Sequence, residues 1–401
     1  MNNIKIKLTR LVVTIIFGLS LSLLASSCEN TRSGEIEVSG VSIENEIPDK
    51  NLIKAIKEEL GVSKITDKNI LNLTILDASG RNIRSIVGIK YAKNLESLNL
   101  SENHLTTIDP GTFDNLTNLQ ELTLYHNQLS EINPETFKGL VNLQTLWITE
   151  NQLTTIGSGT FDGLANLQEL YLGYNQLKNI DPMIFNGLIK LQKLDLSENQ
   201  LTSLESETFR YLTNLQELNL PYNKLSNKDL QALKTLANLQ ILNLTGNQLT
   251  EIGSETFNGL VNLQIVYLYG NQLTNLDTQT FGGLTNLQGL GLGSNQLANI
   301  DFMKNLNLTK YKDLSNQTIY LKMKKRIQQL PIKSSNPKFV KIDESDKYKI
   351  KGNKIILDDG YTEKEIKIKF ITDDMGNYEG IDIPENGFSG TIIVDTSNIE
   401  L

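Results

Sequence analysis

Between Leu95 and Leu297 the chain repeats one order of apolar and polar positions, Leu-x-x-Leu-x-Leu-x-x-Asn-x-Leu, starting at Leu95, Leu119, Leu143, Leu167, Leu191, Leu215, Leu239, Leu263 and Leu287. The starts are 24 residues apart throughout, and a weaker copy begins 22 residues earlier at Leu73, keeping Leu76, Ala78 and Ile83 in register but placing Arg81 at the asparagine position. A fixed period of this length predicts about ten stacked coils, because no single coil can bury its own apolar face. The leucines at positions 1, 4, 6 and 11, such as Leu119, Leu122, Leu124 and Leu129, point inward, and the apolar–polar alternation around them predicts one short strand per coil. Asn103, Asn127, Asn151, Asn175, Asn199, Asn223, Asn247, Asn271 and Asn295 follow these strands. An amide there can satisfy backbone groups that the turn leaves unpaired, which is a structural task. A second column, Phe113, Phe137, Phe161, Phe185, Phe209, Phe257 and Phe281, predicts an aromatic spine on the opposite arc. Leu233 replaces it in one coil, where residues 229–234 read as more helical.

Nine copies of an eleven-residue motif, departing from Leu only at Ile148 and Val266, closely resemble the leucine-rich-repeat family in its 24-residue form. The resemblance covers roughly residues 73–304 and implies an α/β fold, a horseshoe-shaped solenoid with a curved parallel sheet on its concave face. Ten strands about 4.8 Å apart would span on the order of 45 Å, enough for a protein-sized ligand.

Both ends of such a solenoid expose its core, so caps are expected. In residues 47–72, Pro48 suits a first helical position, Leu52, Ile53, Ile56 and Leu60 form an apolar stripe at helical spacing, and Gly61 can end the helix. This segment is similar to the helical cap of internalin-like surface proteins. From residue 305 to 401 the pattern becomes short β-branched runs split by turn signals, at 318–321, 339–342, 354–357, 366–371 and 391–394, which reads as an all-β sandwich. Leu314-Ser315-Asn316-Gln317-Thr318-Ile319 and Phe388-Ser389-Gly390-Thr391-Ile392 resemble the Ig-like module that follows the repeats in internalins.

Lys5, Lys7 and Arg10 precede fifteen uncharged, mostly apolar residues from Leu11 to Ala25, too few to span a membrane comfortably and of the length of a signal h-region. That run ends in Leu24-Ala25-Ser26-Ser27-Cys28, similar to the lipobox of bacterial lipoproteins, although Ala25 stands where the pattern usually has Leu. The resemblance implies that residues 1–27 are removed, that Cys28 carries a lipid holding the protein to the outer face of the bacterial envelope, and that 28–46 form a flexible tether. An ordinary signal peptide followed by a chance thiol is the alternative. Cys28 is the only cysteine, so no internal disulfide can form and stability must come from packing.

Charge changes the picture of the partner. Residues 95–300 hold twenty acids against eight bases, whereas 28–94 and 301–401 are nearly balanced. An acidic horseshoe disfavours nucleic acid and anionic lipid and suits a basic or neutral partner.

In the repeat geometry, positions 3, 5, 7 and 8 look out from the concave sheet and vary while the leucines do not. They hold Tyr125, His126, Trp147, Tyr171, Tyr174, Tyr222, Tyr267 and Tyr269, interleaved with acids that include Glu150, Glu169 and Asp195. Tyr and Trp bring large contact area with a polar handle, and exposed clusters of them mark interfaces; the alternative is that these aromatics pack against cross-strand neighbours for stability and that the acids are solvated charges that keep the surface soluble. As an outward residue, Trp147 is expected to tolerate Ala at little cost in stability. Gly289, Gly291 and Gly293 leave bare backbone in the last coil, either for close approach of a ligand or as low-information sequence.

Catalysis fits poorly. The two histidines, His104 and His126, stand at different column positions without a metal motif, and Glu150 and Glu169 would lie roughly 16 Å apart on an open sheet. Glycine-rich phosphate loops and nucleophile elbows are lacking. The sequence therefore predicts a monomeric, cofactor-free surface lipoprotein that grips a protein ligand in its concave face for adhesion or host interaction. The alternative is a structural envelope protein that contacts glycan or another surface protein.

Overall fold

In the computed structural model the described residues are 40–298, 302–303, 306, 308–315, 317–322, 327–330, 337–341, 348–351, 354–357, 365–372 and 389–395. The leader, Cys28 and residues 28–39 lie outside them.

Each coil contributes one three-residue strand: β1 Ile75–Asp77, β2 Ser97–Asn99, β3 Glu121–Thr123, β4 Thr145–Trp147, β5 Glu169–Tyr171, β6 Lys193–Asp195, β7 Glu217–Asn219, β8 Ile241–Asn243, β9 Ile265–Tyr267 and β10 Gly289–Gly291. They pair in parallel in chain order, each in register with the same position of the next coil. Behind the sheet Leu98, Leu122, Leu146, Leu170, Leu194, Leu218 and Leu242 stack out of contact with water.

The asparagine column does the predicted task. Asn151 Nδ2 donates to the carbonyls of Leu124 (3.0 Å), Ile148 (3.1 Å) and Thr149 (3.3 Å), and its Oδ1 accepts from the Leu129 N–H (3.0 Å). A buried amide thus serves two coils at once, and burial of backbone polar groups is harmless only when they are so paired. A second asparagine column, which the motif reading did not single out, ties the coils on the outside: Asn142 Nδ2 donates to the Thr117 carbonyl (2.8 Å), and Asn118, Asn166, Asn214, Asn238, Asn262 and Asn286 repeat the bond. On the far arc the phenylalanines stack, Phe113 on Phe137 at 6.2 Å and Phe257 on Phe281 at 5.7 Å, and Phe302 extends the row. Where Leu233 interrupts it, Asn227–Thr235 is a 3-10 helix closed by a capping box, with the Asp229 carboxylate accepting from the Ser226 N–H and the Leu204 N–H.

Helix α1 spans Lys50–Leu60, two residues inside the expected start at Pro48. Asp49 is its N-cap: one carboxylate oxygen accepts from the N–H groups of Asn51 and Leu52 and the other from Arg84 and Ser85 of the first coil. Gly61 ends it in left-handed backbone, and Leu52, Ala55 and Ile56 are buried. The described end of the expected tether is not a free linker. Ile43 is buried, and Ser42 bridges Thr66, because an apolar side chain so close to α1 gains more from burial than from solvation.

The parallel sheet also runs past the expected boundary at 304. Strand β11, Tyr311–Asp313, pairs with β10, and Gln317 occupies the asparagine position: its Oε1 accepts from the Leu297 N–H (2.9 Å) and its Nε2 donates to the carbonyls of Leu292, Leu314 and Ser315. Leu314, Ser315, Gln317, Thr318 and Ile319 therefore belong to an eleventh coil and not only to the start of the next module. Beyond it, β12 Gln317–Lys322, β18 Ser389–Asp395, β17 Glu365–Thr372 and β14 Pro337–Lys341 form a four-stranded sheet in that order. Three further strands, β13 Ile327–Gln329, β16 Lys354–Leu357 and β15 Tyr348–Lys351, form a second sheet.

Candidate ligand-binding face

The concave positions are built by the strand period and by the turn after it. Positions 3 and 5 flank the inward leucine at position 4, so both emerge on the open side of the sheet. Position 8 lies in left-handed backbone in coil after coil: Glu102 (φ 56°), His126 (53°), Glu150 (55°), Tyr174 (54°), Glu198 (49°) and Tyr222 (55°). Large residues rarely adopt this conformation, and the surrounding asparagine bonds hold it here.

Strand register brings Trp147 opposite Tyr171, and the two rings stack with centroids 3.6 Å apart and planes 11° from parallel. Each covers the other, so both are only 9% exposed. Tyr125 is corrected more strongly. At 1% exposure it is not available to a ligand; its ring packs beside His126, and its hydroxyl donates to Glu150 Oε1 (3.2 Å). His126 Nδ1 meets Glu150 Oε2 at 2.8 Å, so both carboxylate oxygens of Glu150 are held.

Next to the stack the Tyr171 hydroxyl donates to Glu169 (2.6 Å), and Asp195, opposite Tyr171 on β6, accepts from the Ser197 N–H (2.8 Å). Burial, joined by the field of Glu169, raises the Tyr171 phenol far above its ordinary range. Burial likewise raises Asp195, with Glu217 adding and the two Ser197 hydrogen bonds opposing. Tyr174 is pushed up to about 12 by burial and then by Glu198, Asp195 and Glu150. Several acids thus act on one small area. Lys193, the one base at these positions from Leu95 to Asn295, is paired with Glu217 at 3.2 Å.

His126, Trp147, Glu150, Glu169, Tyr171, Tyr174 and Asp195 therefore form one group on four neighbouring coils. Tyr222, 40% exposed, continues it. Tyr267 and Tyr269 do not join it: they stack on each other at 6.2 Å, about 19 Å along the sheet from Tyr171. Two of the three glycines, Gly291 and Gly293, are explained by this second pair. A Cβ on Gly291 would lie 2.3 Å from the Tyr269 ring, so Gly291 seats that ring and is not bare backbone open to a ligand. Gly246 does the same for Tyr222, at 2.6 Å. Neither seat was foreseen; the signal was a glycine one coil after a tyrosine.

Among the described residues no helix is long and apolar enough to cross a membrane. The family model "Leucine rich repeat" matches in overlapping stretches from residue 72 to 297. Internalin H of Listeria monocytogenes is 35% identical over 100 residues, 24% of this chain, which spans only 18% of that protein. The crystal structure of an internalin, inlF, from the same species superposes with a TM-score of 0.61 at 25% identity, over 72% of this chain and 81% of that one. A leucine-rich-repeat protein of Leptospira interrogans follows at 0.53 and 35% identity, covering 58% of both. With its parallel ladder, its asparagine column and a family match over more than half its length, the chain belongs to the leucine-rich-repeat family and is internalin-like within it.

Proposed function

We propose that this chain is a bacterial surface lipoprotein that binds a protein ligand on the concave face of its solenoid, for adhesion or host interaction. The observation that carries the reading is the contiguity of the Trp147–Tyr171 stack with half-buried Tyr174 and exposed Tyr222 on one rigid sheet. Rigid aromatic area costs little entropy to bind with, and variable outward positions on a fixed frame are where recognition is written. In this reading Cys28 carries the lipid anchor, α1 caps the N-terminal end, and the strands from β12 onward form an Ig-like module that closes the other. The protein works as a monomer, without nucleic acid or cofactor.

The test is capture of host or envelope proteins by the chain lacking its apolar leader, beside a Tyr174→Ala/Tyr222→Ala variant of equal thermal stability. A partner held by the parent and lost by the variant supports the concave face. Equal capture moves the site elsewhere, and absence of any partner favours a glycan ligand or a spacer role.

A further inference from the structure

Position 8 of six successive coils reads Glu102, His126, Glu150, Tyr174, Glu198, Tyr222. Acid and ring alternate without exception, all six residues share left-handed backbone, and the next coils carry Gly246, Gly270 and Ser294, so the column ends abruptly. At about 4.8 Å per coil it is roughly 24 Å long, the reach of about seven residues of extended chain. From this column we infer the chemistry of the partner: a basic segment, rich in Arg or Lys, laid along the ladder with its cationic groups between acids and ring faces. The inference rests on the concave-face reading above and narrows it.

Two features besides the column's order support it. The first is preorganisation. Glu150 is fixed through both oxygens by Tyr125 and His126, and the Tyr222 ring is propped against Gly246 yet 40% exposed. A cation reaching Glu150 or Glu198 therefore finds a tyrosine ring, Tyr174 or Tyr222, on a neighbouring coil, which adds cation–π attraction to the ion pair. The second is asymmetry along the face. Positions 3, 5, 7 and 8 carry Glu102, Glu121, Glu150, Glu169, Asp195, Glu198 and Glu217 in the coils from Leu95 to Leu215, and no charged residue in the coils from Leu239 to Leu287. Charge gathered on six of these nine coils selects orientation as well as sign, as electrostatic complementarity does.

The experiment uses octa-arginine as probe and the fluorescence of Trp147, the only tryptophan, as a reporter inside the site, with calorimetry for affinity. Three proteins are compared: the parent, Glu150→Gln/Glu198→Gln in the column, and Glu135→Gln/Glu255→Gln on the back arc. The first pair should weaken binding about tenfold or more and the second leave it nearly unchanged, with affinity falling as salt rises. Since Gln keeps an acceptor for Tyr125, the column variant should fold; Glu102→Gln serves as a milder second one. Equal weakening by both pairs, or no binding by the parent, overturns the inference. If a captured partner still depends on Tyr174 and Tyr222 in that case, the concave-face reading stands and only the basic segment is wrong; if it does not, both fall.

Discussion

Trp147 and Tyr171 occupy paired positions of β4 and β5 and lie face to face, ring centroids 3.6 Å apart. A sequence that places both on the outward face makes them sound expendable for stability. Their mutual cover makes them a small second core on the open side of the sheet. Trp147→Ala should therefore cost about 3 kcal/mol in urea unfolding, since it removes a large buried side chain and leaves Tyr171 without its stacking partner. Trp147→Phe, which keeps a ring on Tyr171, should cost about 1 kcal/mol. An unchanged midpoint for the Ala variant would show the stack to be dispensable.

The two asparagine columns should behave oppositely on truncation. Asn151→Ala leaves the Leu129 N–H and three carbonyls without their buried partner, so a loss of about 3 kcal/mol or more is expected. Asn142→Ala removes one exposed bond, to the Thr117 carbonyl, which water can replace, at about 1 kcal/mol or less. Denaturant midpoints of the two variants, measured side by side, decide it.

Most of the solenoid could be read from the sequence because its period repeats the same inward positions, and a leucine every few residues leaves one way to bury them. The eleventh coil was hidden for a chemical reason. Lys312 stands where the fourth-position leucine should be and Gln317 where the asparagine should be, yet Gln317 reaches the same carbonyls with one more methylene. Burial on the concave side was not legible either. Position 7 is outward by column, but Tyr125 disappears because His126 and Glu150 close over it, and that depends on neighbours in two coils at once. The glycine seats under Tyr222 and Tyr269 belong to the same class of cross-coil relationship.

Thr208 lies fully buried on the back arc, and its hydroxyl makes no hydrogen bond, whereas the hydroxyl of Thr160, its counterpart two coils earlier, bonds the Gly157 carbonyl at 2.8 Å. A desolvated hydroxyl without a partner is a cost that valine, of nearly the same shape, does not carry. Thr208→Val should leave stability unchanged or raise it by about 1 kcal/mol, while Thr160→Val should lower it by about 1 kcal/mol. Thermal unfolding of both variants tests the contrast.

Ser294 stands at position 8 of the coil that begins at Leu287, exposed and held at φ 58°. Glycine adopts that backbone without a Cβ clash, so Ser294→Gly should stabilise by about 0.5–1 kcal/mol, the relief exceeding the extra freedom glycine gives the unfolded chain. A loss of stability would mean that the serine hydroxyl outweighs the strain.

Asp195 makes stability depend on pH in the direction opposite to most carboxylates. Burial, then repulsion from Glu217, holds its folded pKa above the ordinary aspartate value despite the opposing hydrogen bonds from Ser197. Through that interval the folded state binds more protons than the unfolded chain, so stability falls as pH rises from about 4 upward. Asp195→Asn removes the ionisation and keeps an oxygen for the Ser197 N–H. The variant should therefore be more stable than the parent at pH 7, and the difference should close as pH drops below about 4, where the parent carboxyl is protonated in both states. Urea midpoints of the two proteins between pH 3 and 8 measure this directly. A gap that stays constant over the whole range would assign the effect to packing against Ser197 and Gly173 instead of charge.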